Sequence, residues 1–349
     1  MTKRPRIVMN ALPLDRQGGG VSTYIRNLLT ALVPLLDADV VAAVRPSGLT
    51  ELPEGVTPLE CPESSGVRRA VAGARGFGRC DLVHGLDVDL PFRRSGLRVA
   101  TVHDMAIFDV PWAFPRFRVV GERILVRSAL RRADAVIAVS AFTAERVRVL
   151  TGREAVVVHE APSPDMVPAS DAEVNRVRAA YRLPDRFVLH VGNIEPRKDL
   201  STLADACRLV GVPLVLTGIG LWETTPPEAV IEVGHVPVKD LLALYGAATL
   251  VGYASRYEGF GLSPVEAMAC GAAVVSTPVP AVAEVVGEGA ATFVPGDVDG
   301  LVAVLTSLLD DDDLRSRLAA RGVVAVQALS WDRAARATVD VYRSIGLVV

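Results

Sequence analysis

The chain has 349 residues, half of them hydrophobic, and a formal net charge of −3. That length suits two domains, each able to bury its own apolar interior, and the acidic balance argues against a nucleic-acid binder. No apolar run is long enough to span a bilayer. The basic, then apolar start is broken at Asn10, Pro13 and Asp15, too early for a signal peptide, so a cytoplasmic chain is expected.

The charge is unevenly spread, with 22 basic against 18 acidic side chains in residues 1–165 and 15 against 22 in residues 166–349. Cys61, Cys80, Cys207 and Cys270 lack metal-ligand spacing and read as buried free thiols.

In chain order, residues 6–12 read as a buried strand, followed by the glycine turn Gln17-Gly18-Gly19-Gly20 and an amphipathic helix from Val21 to about Leu36. Strand-like runs recur at 40–44, 82–84, 98–102, 135–139 and 155–159. The run at 98–102 ends in His103-Asp104. A histidine there is more often a hydrogen-bonded structural residue than a catalyst. Arg123, Arg127 and Arg131 fall on one helical face, read first as solvated and second as a contact for an anionic membrane or an acidic acceptor. Ser140 reads as the N-cap of the next helix.

The proline-rich stretch 161–168 reads as a linker, giving domains at 1–165 and 166–330. Strands are expected at 187–191, 213–216, 230–232, 250–254, 273–276 and 291–294. A last helix, within residues 331–349, is expected to pack back on the first domain. Short strands alternating with helices predict α/β domains with mostly parallel sheets and ligands at the carboxyl ends of the strands. The runs Arg131–Ser140 and Tyr245–Ser255 echo each other, each ending a strand in a serine.

Two segments carry the chemistry. Arg197 and Lys198 stand before a helix whose N-terminus is already partly positive, an arrangement that calls for an anion between them. A guanidinium fork and a compact ammonium together suit a diphosphate. The second segment, Glu258-Gly259-Phe260-Gly261-Leu262-Ser263-Pro264-Val265-Glu266, spaces two carboxylates eight apart across a glycine loop that opens into a helix. Ser263 and Pro264 read as N-cap and first helical residue, which leaves a capping box as the alternative account of Glu266. Glu258 has no such local explanation. Asp87, Asp89, Asp297 and Asp299 form Asp-x-Asp pairs without further ligands, so no metal is predicted. His159 and His190, in or beside strands, read as core or hinge residues.

The glycine loop, the His-Asp pair, the Arg-Lys pair, the two glutamates and a terminal tryptophan-bearing helix occur in the order found in the family-4 retaining glycosyltransferases, which the chain resembles over nearly its whole length. The resemblance implies the GT-B architecture, two Rossmann-like domains facing across a cleft, and hexosyl transfer from a nucleotide-diphosphate sugar. The mannosyltransferase-like branch is the nearest match, which favours GDP-mannose. It further implies that Arg197 and Lys198 grip the diphosphate, that Glu258 binds sugar hydroxyls with Gly259, Phe260, Gly261 and Leu262 around it, and that Glu266 holds the ribose. His103 would contact the donor sugar, Gly18, Gly19 and Gly20 would face phosphate or acceptor, and Gly218, His235 and Val236 would hold the base.

No cofactor or metal is implied beyond the co-substrate. The acceptor, a hydroxyl of a glycan, a lipid-linked sugar or a small natural product, is not named by the residues. The stretch 105–115 is a candidate for shaping its site. His159–Pro162 departs from an asparagine common in the family, and Ser263-Pro264 from its usual proline placement. A nucleotide-sugar 2-epimerase of the same fold and a non-catalytic partner subunit are the alternatives.

Overall fold

The computed structural model describes residues 4–15, 18–63, 76–218, 220 and 230–349. Gln17, in the glycine turn above, and Ile219, next to Gly218, lie outside these residues. The chain divides into two compact units, residues 1–160 with 330–349, and residues 161–329. Residues 161–165, assigned above to the first domain, therefore cluster with the second.

In the first unit, a parallel sheet runs in the order β3-β2-β1-β4-β5-β6-β7. Its strands are β1 Arg6–Asn10, β2 Asp39–Val44, β3 Thr57–Glu60, β4 Leu82–Gly85, β5 Leu97–Val102, β6 Ala135–Ala138 and β7 Val156–Val157. The central strands are buried on both faces, as their Val-, Ile- and Ala-rich runs require. β3 is absent from the sequence reading because Thr57-Pro58-Leu59-Glu60 is mostly exposed and contains a proline, which only an edge strand tolerates.

The helix Gly20–Leu32 starts at the glycine turn and ends where a short 3-10 turn, Val33–Leu35 with Pro34 at its centre, begins. The C-terminal helix Trp331–Ser344 packs on it and buries Trp331, Ala335, Thr338, Val339 and Tyr342. Ser330 caps that helix by accepting from the Arg333 N–H at 3.2 Å.

The second unit holds a parallel sheet in the order β10-β9-β8-β11-β12-β13. Its strands are β8 Val188–Val191, β9 Leu214–Thr217, β10 Val230–Gly234, β11 Leu250–Tyr253, β12 Val274–Ser276 and β13 Ala290–Thr292. The helices Leu200–Leu209 and Val298–Asp310 cover it with Leu203, Ala206, Cys207, Leu301 and Leu305. Both sheets reverse their winding once, between β1 and β4 and between β8 and β11. At such switch points the loops leaving the carboxyl ends diverge and open a crevice.

Candidate active site

The crevice between β8 and β11 is built into the strand register. Backbone pairing of these strands covers only Val188 with Leu250 and Leu189 with Val251. One step further, the ladder is replaced by a side chain, as the buried His190 donates from Nδ1 to the Gly252 carbonyl at 2.9 Å. Burial pushes this imidazole down to about 4 against a weaker upward pull from the Gly252 bond, with the Lys198 charge adding a lesser downward push and Glu258 a lesser upward one. It therefore stays neutral, and Nε2 has no hydrogen-bond partner.

The two chemistry-bearing loops leave from here, one after β8 and one after β11. After β8, Pro196–Lys198 forms a 3-10 turn, and Asp199 in the left-handed region leads into the helix Leu200–Leu209. Asp199 does not cap that helix. Its carboxylate instead accepts from Ser201 Oγ at 3.1 Å and Arg256 Nε at 2.8 Å. The Arg256 N–H donates to the Arg197 carbonyl at 2.8 Å, tying the β8 loop to the β11 loop.

This tie brings Arg197, Lys198 and Glu258 together. Glu258 Oε2 accepts from Arg197 Nη1 at 3.0 Å, and Oε1 accepts from Lys198 Nζ at 2.5 Å and from Ser255 Oγ at 2.7 Å. Arg197 Nε also donates to Glu195 at 2.8 Å. The anion demanded by two adjacent cations is thus supplied by the protein itself. Burial alone would raise the Glu258 pKa, but the charges of Lys198 and Arg197 and the bonds from Lys198 and Ser255 bring it down to about 2. At neutral pH the site holds a fixed carboxylate between two fixed cations, and a phosphate-bearing ligand would share those cations with Glu258.

The glycine loop after Glu258 corrects one expectation. The helix runs Leu262–Ala269 with Gly261 as N-cap, at φ +105° and without a side-chain cap. Ser263 and Pro264 are therefore its second and third residues, and the capping box is ruled out. An N-cap glycine is required because a Cβ there would meet Val282 at 2.9 Å in a backbone conformation that disfavours L side chains. Glu266 is buried inside the helix, close enough for its charge to raise the pKa values of Tyr245, Tyr253 and Cys270, though burial is the main cause in each.

Among the base-holding candidates, Val236 is buried and His235 exposed just after β10. Gly218 meets the β8 loop directly, since a Cβ on it would lie 2.0 Å from the Gly192 carbonyl oxygen. Asp297 serves as a helix cap, accepting from the Gly300 N–H at 2.9 Å. Among the described residues, no cluster of three or more His, Cys, Asp or Glu could hold a metal ion.

In the first unit, Gly19 is the N-cap of Gly20–Leu32 with no side-chain cap. Gly18 is forced by packing, because a Cβ would collide with Ser22 Oγ, which itself donates to the Pro13 carbonyl and accepts from the Asp15 N–H. His103, after β5, donates from Nδ1 to Glu160 at 3.0 Å and from Nε2 to the Leu86 carbonyl at 2.9 Å. Burial would lower its pKa, but the Glu160 bond and charge, Asp87 and the Leu86 carbonyl outweigh burial and raise it to about 9. The ring is a fixed imidazolium with both N–H groups committed inside its own unit. In this arrangement the ring carries charge but no free N–H donor.

Tyr24 stands edge-on to His103, with ring centroids 4.6 Å apart, and its hydroxyl bonds Thr101, which also bonds His84. Tyr342 closes this buried chain on His84 Nδ1 at 2.7 Å.

Sequence reasoning missed Ser255, Glu195 and Glu160. Ser255 had a signal in its echo of Ser140, yet the two serines do different work, since Ser140 caps a helix by accepting from the Thr143 N–H at 3.0 Å whereas Ser255 orients Glu258.

Family models for glycosyl transferases group 1 and for glycosyltransferase family 4 match residues 171–323 and 18–161. The chain is 33% identical over 282 residues to the O-antigen chain mannosyltransferase B of Escherichia coli, covering 75% of this chain and 74% of that protein. In fold it is similar to sucrose-phosphate synthase from Thermosynechococcus elongatus, with a TM-score of 0.78 at 21% identity over 98% of this chain and 99% of that one. It is also similar to HepE from Anabaena in complex with UDP-glucose, with a TM-score of 0.76 at 19% identity over 97% and 100% of the two chains. With a Glu258 carboxylate seated between Arg197 and Lys198 at the switch point of a Rossmann-like sheet, the chain belongs to glycosyltransferase family 4 and has the GT-B fold.

Proposed function

We propose that this hexosyltransferase uses a nucleotide-diphosphate sugar, with GDP-mannose the favoured donor, and transfers the sugar with retention to an acceptor hydroxyl. The observation that carries the reading is the Arg197–Glu258–Lys198 cluster. When the sugar C1–oxygen bond breaks, positive charge develops on the ring and negative charge on the departing diphosphate. Arg197 and Lys198 stabilise that anion as it forms, the kind of preorganised electrostatics that dominates catalysis of such steps. Glu258, relieved of part of its cation contact by the phosphates, accepts from donor-sugar hydroxyls.

The acceptor oxygen forms the new bond to C1 on the face the diphosphate leaves, and its proton passes to a phosphate oxygen. Glu266 receives the ribose hydroxyls. The HepE complex supports a nucleotide-sugar donor, and the Escherichia coli mannosyltransferase supports mannose.

Incubating the protein with a panel of nucleotide sugars, without acceptor, tests the reading. Slow release of sugar and nucleoside diphosphate from GDP-mannose above the other donors is expected. Conversion of any donor to its epimer, or inertness toward all of them, would overturn it.

A further inference from the structure

The helix Arg116–Arg132 of the first unit turns its buried side inward through Val119, Ala129 and Leu130. Its outward face reads Phe117, Val120, Ile124, Arg127 and Arg131, spaced three, four, three and four residues apart, all exposed. Phe117 is 80% exposed, Val120 62% and Ile124 63%, and Trp112, in the turn that leads to the helix, is 57% exposed. A surface helix normally presents polar residues on this side. Scattered exposed hydrophobics need no account, but three in a row along one helical face, with a tryptophan nearby, form the kind of apolar strip that marks an interaction site.

The charges on the helix itself are nearly all of one sign. The helix carries six arginines and a single acid, Glu122, which Arg118 already holds at 2.7 Å. Arg123 and Arg132 turn inward to the carbonyls of Ile107, Phe108 and Leu90. Arg116, Arg127 and Arg131 stay exposed. The sequence reading saw the arginine stripe but not the apolar stripe that continues it.

An apolar strip running into exposed arginines fits a bilayer bearing anionic headgroups. A second copy fits poorly, since apposing the face with itself adds arginines and brings no carboxylate except Glu122. We propose that this face docks on an anionic lipid surface, with Trp112, Phe117, Val120 and Ile124 entering the acyl boundary and Arg127 and Arg131 meeting lipid phosphates. The assignment does not depend on the glycosyl-transfer reading.

The test is co-sedimentation of the full chain with phosphatidylcholine vesicles, with and without phosphatidylglycerol, over a salt series. Binding is expected with phosphatidylglycerol, weakening as salt rises. R127A/R131A should cut the partition roughly 30-fold, as the loss of two surface cations implies, and F117S/I124S should abolish it at an unchanged melting temperature. Absence of binding, equal binding to both vesicle types, or binding unchanged in both double variants would overturn the proposal. So would a dimer, seen by sedimentation equilibrium, that F117S/I124S dissociates in a protein that does not bind vesicles.

Discussion

Glu258→Gln separates the two jobs of the cationic pair. Arg197 and Lys198 share one carboxylate whose side chain is 13% exposed, so solvent screens the pair little. Lowering Glu258 from 4.5 to about 2 corresponds to about 3 kcal/mol of stability at neutral pH. The group's folded pKa is depressed, so this stabilisation is fully present above pH 4.5 and is lost as pH falls toward 2.

Glutamine keeps the volume and one acceptor but removes the carboxylate charge from Lys198 and leaves Arg197 with Glu195 alone. The second unit should therefore melt roughly 6–12 °C lower by calorimetry. The freed cations should then bind GDP or UDP at least about tenfold more tightly in titration calorimetry, since a ligand phosphate no longer competes with the carboxylate. Sugar transfer should nevertheless be lost. An E258Q protein that melts normally and binds nucleoside diphosphate more weakly would refute the reasoning.

Three further outcomes follow from the geometry. His103 carries a raised pKa of about 9, so the stability it gains from Glu160 is full below pH 6.5 and disappears as pH rises through 9. Urea midpoints measured from pH 6 to 10 should fall in the native protein and stay flatter in H103Q. On the proposed ribose contact, E266Q should lower nucleoside diphosphate affinity by about 1.5–3 kcal/mol, and because Glu266 is not part of a capping box the melting temperature should change little. Transfer should survive EDTA, because the two cations already supply charge for the leaving group. Activity abolished by EDTA and restored by magnesium would return Asp87 and Asp89 to consideration as ligands.

Most of the fold was legible because parallel strands buried on both faces leave unbroken Val-, Leu- and Ala-rich runs, as at Val188–Val191 and Leu250–Tyr253. The edge strand β3 left no such trace. Within the site, the residues at strand ends were legible and their partners were not. His103 and Glu160 are 57 positions apart and meet only once β5 and the end of the first unit are placed. Lys198 and Glu258, 60 apart, were read as separate contacts for a ligand when the fold makes them contacts for each other. Hydrophobic periodicity fixes which strands exist, while long-range ion pairs depend on how the loops leave them. The start of the helix at Leu262 was misread because a serine-proline pair resembles an N-cap, whereas the left-handed Gly261 sets the boundary by backbone conformation alone.

The most direct test of the central claim, that Arg197 and Lys198 hold the departing diphosphate, is phosphorus-31 NMR titration of GDP into the native protein and into R197A and K198A, paired with turnover of the donor each accepts. The account predicts a shifted β-phosphate signal in the native protein, loss of that shift in both variants, and turnover reduced roughly 10²–10³-fold in each. Variants that shift the β-phosphate signal as the native protein does, and turn over at near-native rates, would contradict it.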